Sequence, residues 1–282
     1  MSKIAIVTDS TSDLPEELVK KFNINVIPLT VHFGEKEYKD DGKDLILEDF
    51  FIKLKESDIF PTTSQPSIGD FIKLYSRLLE NHDSIISMHI SNKLSGTMNS
   101  ALLAKKDLPG KDITVIDSLA VHAPLGLIVL KAAQMNSEGS SKEDIIKKVY
   151  EIINSVKAFI LPRTLENLIK GGRIGKARSL LASLLDIKPI LTLTPDGYIG
   201  IFKTTRRWSN AKRKAIESIR DYITGKKDLI VSLSDACARE DLDEVEEEIK
   251  KIYSPKKIMK VKIGIVVGTH IGTGIGITFY EE

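Results

Sequence analysis

Cysteine is almost absent from this chain. Cys237 is the only one in 282 residues, which excludes an internal disulfide and a zinc site built on thiolates and makes a reduced cytoplasm the expected setting. An excess of one charge is also missing. The 41 Lys and Arg against 39 Asp and Glu leave a formal +2, too little to argue for a nucleic-acid or membrane surface. No apolar run reaches the length of a membrane span, and the opening Ile4-Ala5-Ile6-Val7 reads as a strand rather than as part of a signal peptide. No G-x-x-x-x-G-K-[ST] cradle occurs, and no mixed cluster of Asp, Glu, Cys and His with ligand spacing stands out, so neither a metal nor a cofactor is expected. Internal repeats and low-complexity segments are lacking too.

What remains is an ordinary globular composition, 42% hydrophobic and 28% charged, long enough for one large domain or two modest ones. Four short turns stand out. They are Thr8-Asp9-Ser10-Thr11-Ser12-Asp13, Thr62-Thr63-Ser64-Gln65-Pro66-Ser67, Ser91-Asn92-Lys93-Leu94-Ser95-Gly96-Thr97 and Gly268-Thr269-His270-Ile271-Gly272-Thr273-Gly274. Open α/β sheets bind ligands at the carboxyl ends of their strands, where such turns gather hydroxyls and backbone N–H groups around a small anion.

The pattern along the chain predicts a wound α/β first half. Ile4 to Val7 forms a strand, and a helix opens with Asp13 as N-cap and Pro15, Glu16 and Glu17 in its first turn. A strand region spans Ile24 to Phe33, broken at Pro28, followed by a charged loop from Gly34 to Asp44. An amphipathic helix covers Leu47 to Lys55, and Ser67-Ile68-Gly69-Asp70 has capping-box spacing. Strands at Ser84 to Ile90 and Asp112 to Asp117 flank a helix from Thr97, and two more helices follow, separated at residues 137–140. The second half mixes helices with antiparallel strands. Pro195-Asp196-Gly197 turns a hairpin between Lys188 to Thr194 and Tyr198 to Thr205. A final strand pair covers Val261 to Val267 and Gly276 to Tyr280. The boundary falls near Lys157, dividing the chain into residues 1–157 and 158–282.

Among candidate site residues, Thr63 and Ser95 each sit in a loop ahead of a helix N-terminus, where orphan N–H groups favour an anion. A hydroxyl donating to a carboxylate contributes roughly 1.5–3 kcal/mol; the alternative is that both close turns or cap helices. His270, between glycines after an apolar run, is an anion contact or an acid–base group, or else a histidine satisfied by backbone. Gly272-Thr273-Gly274-Ile275-Gly276 has the wrong spacing for a dinucleotide turn, with no room for the helix that must follow. A serine hydrolase using Ser95 and His270 is the rival reading, although Lys93-Leu94-Ser95-Gly96-Thr97 is not a G-x-S-x-G elbow. The basic stretch at residues 203–214, with Trp208 interleaved, offers RNA or phosphate binding as an alternative, but it and the acidic run Asp241 to Glu248 read as solvated surface.

At these residues the chain resembles the DegV family. The shared motifs run in order over essentially the whole length: T-D-S-T-S-D from Thr8, P-L-T-V from Pro28, T-S-Q-P-S from Thr63, L-S-G-T from Leu94, V-I-D-S from Val115, L-E-N-L-I-K-G-G-R-I from Leu165, K-P-I-L from Lys188 and G-T-H-I-G from Gly268. The resemblance implies a two-domain α/β protein, non-catalytic alone, that holds one long-chain fatty acid, such as palmitate, in a tunnel between the domains. Its carboxylate is met by Thr63 and Ser95, with Thr62 and His270 close by. It further implies an ATP-binding fatty acid kinase subunit as partner, docking near Arg173 and forming an acyl phosphate for lipid metabolism. Two departures stand out. Arg206-Arg207-Trp208-Ser209 replaces an alanine-leading stretch, and Gly272-Thr273-Gly274 stands where a proline often follows the glycine. About 15 methylenes at about 0.8 kcal/mol each amount to roughly 12 kcal/mol gross, so affinity would come from the tail and orientation from the head group.

Overall fold

The computed structural model describes residues 3–183 and 187–282, with backbone alone for 180–183. The chain divides into two compact units. One comprises Met1–Asn154 with Gly264–Val266, the other Ser155–Ile263 with Val267–Glu282.

In the first unit β1 (Ile4–Asp9) is buried along its whole length, as a strand covered on both faces must be. A 3-10 turn over Ser10–Ser12 follows, then α1 (Glu16–Lys21). Here the expected cap is corrected. Pro15 stands at the N-cap of α1, while Asp13 closes the 3-10 turn in a left-handed conformation, φ 47°. Asp9 supplies the side-chain cap, accepting from Thr11 N at 3.1 Å. Next come β2 (Ile24–Ile27), β3 (Thr30–Phe33) and β4 (Lys36–Lys39). The last lies inside the segment expected as a charged loop. It pairs antiparallel with β3, and Tyr38 meets Phe33 edge-on at 6.2 Å, a cross-strand contact that outweighs the poor strand propensity of Lys and Glu.

Helix α2 (Leu47–Glu56) precedes β5 (Thr62–Ser64) and α3 (Ile68–Leu79). Both bonds of the Ser67/Asp70 capping box are formed. β6 (Ser84–His89), α4 (Thr97–Lys106), β7 (Ile113–Asp117), α5 (Ala123–Ser137) and α6 (Lys142–Ser155) complete the unit. The sheet runs β2-β1-β6-β7, all parallel, beside a small antiparallel sheet β4-β3-β5. Phe71, Tyr75, Ala101 and Ala104 of α3 and α4 join Ala5, Val7, Ile85 and Ile113 of the strands in one core cluster.

The second unit carries a mixed six-stranded sheet, order β10-β9-β8-β13-β11-β12. Its strands are β8 (Lys157–Pro162), β9 (Lys188–Leu193), β10 (Ile199–Thr205), β11 (Leu229–Ala236), β12 (Lys257–Lys262) and β13 (Gly274–Glu281). Its helices are α7 (Glu166–Lys170), α8 (Trp208–Ser218), α9 (Arg239–Tyr253) and α10 (Ile265–Ile271), of which α10 begins in the first unit. The β9–β10 hairpin turns at Gly197, φ 84°. One run departs from expectation. Val261 to Val267 begins as the end of β12, but Ile265 starts a helix, so His270 lies on α10 rather than after a strand. Burial of Ile265, Val266 and Ile271 overrides the strand propensity of Ile and Val.

The two charge runs of this unit meet. Lys212 and Trp208 Nε1 both donate to Asp241 Oδ1 at 2.8 Å, Lys212 also bonds Glu244, and Arg163 pairs with Asp241 while stacking on Trp208 at 4.0 Å. Burial would raise the Asp241 carboxyl, but these donors prevail and hold it below the usual carboxylate range. Its stabilising effect is therefore present above the pKa of an unfolded aspartate and fades as pH falls through that value. Asp241→Ala is expected to destabilise the fold by about 1–3 kcal/mol at pH 7, with the loss narrowing at acid pH. Denaturant unfolding of both proteins at two pH values checks this.

Candidate functional site

The hydroxyl loops are built by short backbone and side-chain bonds. Ser91 O accepts from Leu94 N and Ser95 N at 3.0 and 3.1 Å, curling the L-S-G-T segment ahead of α4. Ser95 Oγ lies 2.9 Å from Thr97 Oγ1 and accepts weakly from Thr97 N at 3.3 Å. Ser95 thus helps close the start of α4, while its hydroxyl stays part-exposed. Thr63 sits not in a loop but at the centre of β5, opposite Val31 of β3. Side chains alternate along a strand, so Thr62 shares a face with Ser64 and Thr63 takes the other.

One contact brings the two segments together. The Gln65 amide donates to Ser100 Oγ of α4 at 2.9 Å and lies so close over Gly96 that a Cβ there would clash with it. The chain just after Thr63 and the chain just after Ser95 are therefore in contact. Composition alone pairs these segments; the side chain that joins them carries no signal of its own in the sequence.

His270 belongs to the second unit, packed against α7 and the turn after it. A Cβ on Gly171 would clash with its Nδ1, so only glycine admits the ring. Asn167 Nδ2 donates to Thr269 O at 3.1 Å, and Arg173 donates to Gly171 O at 2.8 Å. Burial, reinforced by the Arg173 charge, pushes His270 down to about 4, so the ring is neutral at pH 7. The folded chain then binds fewer protons than the unfolded one between about 4 and the ordinary histidine value near 6.5. The stability His270 contributes is complete above that window and is lost as pH falls through it. Histidine-selective NMR is expected to show one ring titrating near 4, absent from His270→Gln. In Gly171→Val that midpoint is expected to rise, because the ring is driven from its buried position.

A Ser-His-Asp chain does exist, at residues that sequence reasoning missed. Asp9 Oδ2 lies 3.0 Å from His89 Nδ1, and His89 Nε2 lies 2.7 Å from Ser87 Oγ, which accepts from Tyr75 OH at 2.8 Å. All four residues are fully buried, so no substrate reaches Ser87 and the chain ties α3 to the sheet. Ser95 is bonded within its own loop, and the charge that bears on His270 is the cation Arg173, the wrong sign for an orienting carboxylate. The hydrolase reading gains no support from this geometry.

Among the described residues no group of three or more His, Cys, Asp or Glu is placed to hold a metal ion, and no helix is long and apolar enough to cross a membrane.

The profile of the family described as "Uncharacterised protein, DegV family" matches residues 3–282. The chain belongs to the DegV family. It is 36% identical over 286 residues to a DegV domain-containing protein of Caldanaerobacter subterraneus subsp. tengcongensis, each covered in full. Among solved structures it is similar to a DegV family protein from Thermus thermophilus described as fatty acid binding, with TM-score 0.94 and 33% identity over 99% of this chain and 100% of that one. It is likewise similar to DegV of Bacillus subtilis, described as a fatty acid binding protein, with TM-score 0.90 and 33% identity over the whole of both chains. The expected DegV architecture is thus observed, a parallel sheet in the N-terminal part and a mixed sheet in the C-terminal part.

Proposed function

We propose that this DegV protein binds a long-chain fatty acid and presents its carboxylate to an ATP-binding kinase subunit, without catalysing a reaction alone. The observation that carries the reading is the Gln65 contact, which brings the segments bearing Thr63 and Ser95 together in a fold whose Thermus and Bacillus relatives are described as fatty acid binding. Two neutral hydroxyls beside a helix N-terminus suit a carboxylate, which needs a few oriented donors and no metal. Thr63 and Ser95 are the proposed donors. The neutral ring of His270 is a third, adding a single hydrogen bond without a full charge. Thr62, on the opposite face of β5, is assigned no direct contact through its side chain. Arg173, beside His270, is the proposed docking position for the partner.

Native mass spectrometry of freshly purified protein is expected to show one bound fatty acid per chain, released on denaturation. Free chains with no lipid, and no uptake of an added fatty acid, would overturn the reading. A fluorophosphonate probe separates the hydrolase alternative: labelling lost in Ser95→Ala would favour the hydrolase. In phosphorylation of pre-loaded protein by a kinase subunit, His270→Ala is expected to reduce transfer more than lipid retention, since a donor there meets charge that grows as the acyl phosphate forms.

A further inference from the structure

The motif L-E-N-L-I-K-G-G-R-I from Leu165 lends Arg173 to the proposed site, while its asparagine has no role there. Asn167 is part-buried at the second position of α7 and meets the chain around His270 at three places. Its backbone oxygen accepts from Gly171 N at 2.8 Å, which fixes the glycine against which the His270 ring packs. Its side-chain Nδ2 donates to Thr269 O at 3.1 Å, the carbonyl of the peptide that enters His270. Its Oδ1 lies against Gly272, held at φ 66°, where a Cβ would stand 3.0 Å from that oxygen. All of these residues belong to the second unit.

Helix α10 has seven residues, too few to be stable without contacts to its surroundings, and His270 lies in its last turn, where helices fray. The last carbonyls of a helix have no partner within it. At this end Gly268 O accepts from Gly272 N at 2.9 Å, and Thr269 O accepts from Asn167.

We propose that Asn167 is a positioning residue for His270, capping the C-terminal end of α10 so that the ring stays seated on Gly171. Its part in lipid chemistry rests on the fatty-acid reading above; the seating of the ring does not. Replacing the side chain leaves the Asn167 carbonyl, and with it the Gly171 seat, in place and cuts only the tie to Thr269. The ring then gains water, and the burial that holds it down to about 4 is relieved. The charge that bears on the ring is Arg173, bonded to Gly171 O. The charged side chains of α7, Glu166 and Lys170, pair with each other at 2.6 Å.

The test is histidine-selective NMR of the full chain, with the His270 signal assigned by His270→Gln. In Asn167→Ala the ring midpoint is expected to rise from about 4 to about 5.5 or higher, toward the ordinary histidine value near 6.5. Asn167→Leu, close to asparagine in bulk but without the donor, is expected to give the same rise. A wild-type midpoint in either variant overturns the proposal. Wild type supplies an arm that needs no variant to fold. One Asn167 side-chain amide proton is expected to exchange with solvent about tenfold more slowly than in an exposed asparagine, and exchange at the exposed rate overturns the cap. In phosphorylation of pre-loaded protein by a kinase subunit, Asn167→Ala is expected to reduce transfer several-fold more than lipid retention, and to reduce it no further in a His270→Ala background. Additive losses would mean that Asn167 acts apart from His270, which overturns its positioning role. Wild-type protein that takes up no fatty acid overturns the lipid reading, while the NMR midpoints still decide the role of Asn167.

Discussion

Asp9→Ala is expected to destabilise the protein by about 3–5 kcal/mol, the cost of breaking a buried pair by removing one partner. Asp9 and His89 are both fully buried, and the Asp9 carboxylate also takes the Ile90 N–H at 3.0 Å and both the N–H and the hydroxyl of Thr11. Removing it leaves these donors and the imidazole without an acceptor, and water cannot enter to replace it. His89→Ala is expected to cost a similar amount, and the double variant less than the sum, because each single change already strands the other partner. Urea denaturation of the four proteins closes the cycle. Strict additivity would mean that the two side chains do not act as a pair. Both changes are also expected to lower lipid retention only through loss of folded protein, unlike changes in the hydroxyl loops.

Ser95→Ala and Thr63→Ala are each expected to weaken fatty-acid retention by about 1.5–3 kcal/mol, roughly 10- to 150-fold, with little change in stability. Ser95 bonds within its loop and Thr63 is part of a short edge strand, so neither substitution strands a deeply buried group. If the proposed fatty-acid reading holds, the tail supplies most of the gross affinity, so the variants are expected still to bind, with faster release. Gly96→Val reaches the same site differently. Its side chain would strike Gln65, separating the two segments while leaving both hydroxyls in place, and retention is expected to fall at least as far as in Ser95→Ala. Stopped-flow release of a fluorescent fatty acid measures all three. Wild-type retention in both Thr63→Ala and Ser95→Ala would remove the head-group assignment.

Much of the architecture was legible because its signals are local. The Ser67/Asp70 box, the glycine turn at Gly197 and the apolar runs of β1 and β6 each state their structure within a few residues. The family could be read for a related reason: eight motifs keep their order along the chain, and each lies in one stretch of sequence. Segments whose state depends on distant partners were not legible in this way. Lys36–Lys39 is a strand only because Phe33 and Tyr38 meet across the hairpin, and Ile265–Ile271 is a helix despite its strand-forming residues because burial selects it. Asp13 has the composition of an N-cap, yet His122, 109 residues away, holds its carboxylate.

The same division holds for the site. Hydroxyls and a histidine between glycines, in turns where Lys93 is the one cation, are local properties of the sequence, and they suggest a small anion as ligand whatever the fold. Which of those groups share a neighbourhood was decided in three dimensions. Gln65 reaching Ser100, Gly171 admitting the His270 ring, and Asp9 closing on His89 from 80 positions away each join residues whose separation along the chain carries no periodicity. The chemistry of a side chain is set by its type. Its protonation and its access to ligand are set by what burial places against it, which is why His270 is neutral at pH 7 and Ser87, in a complete Ser-His-Asp chain, is inert.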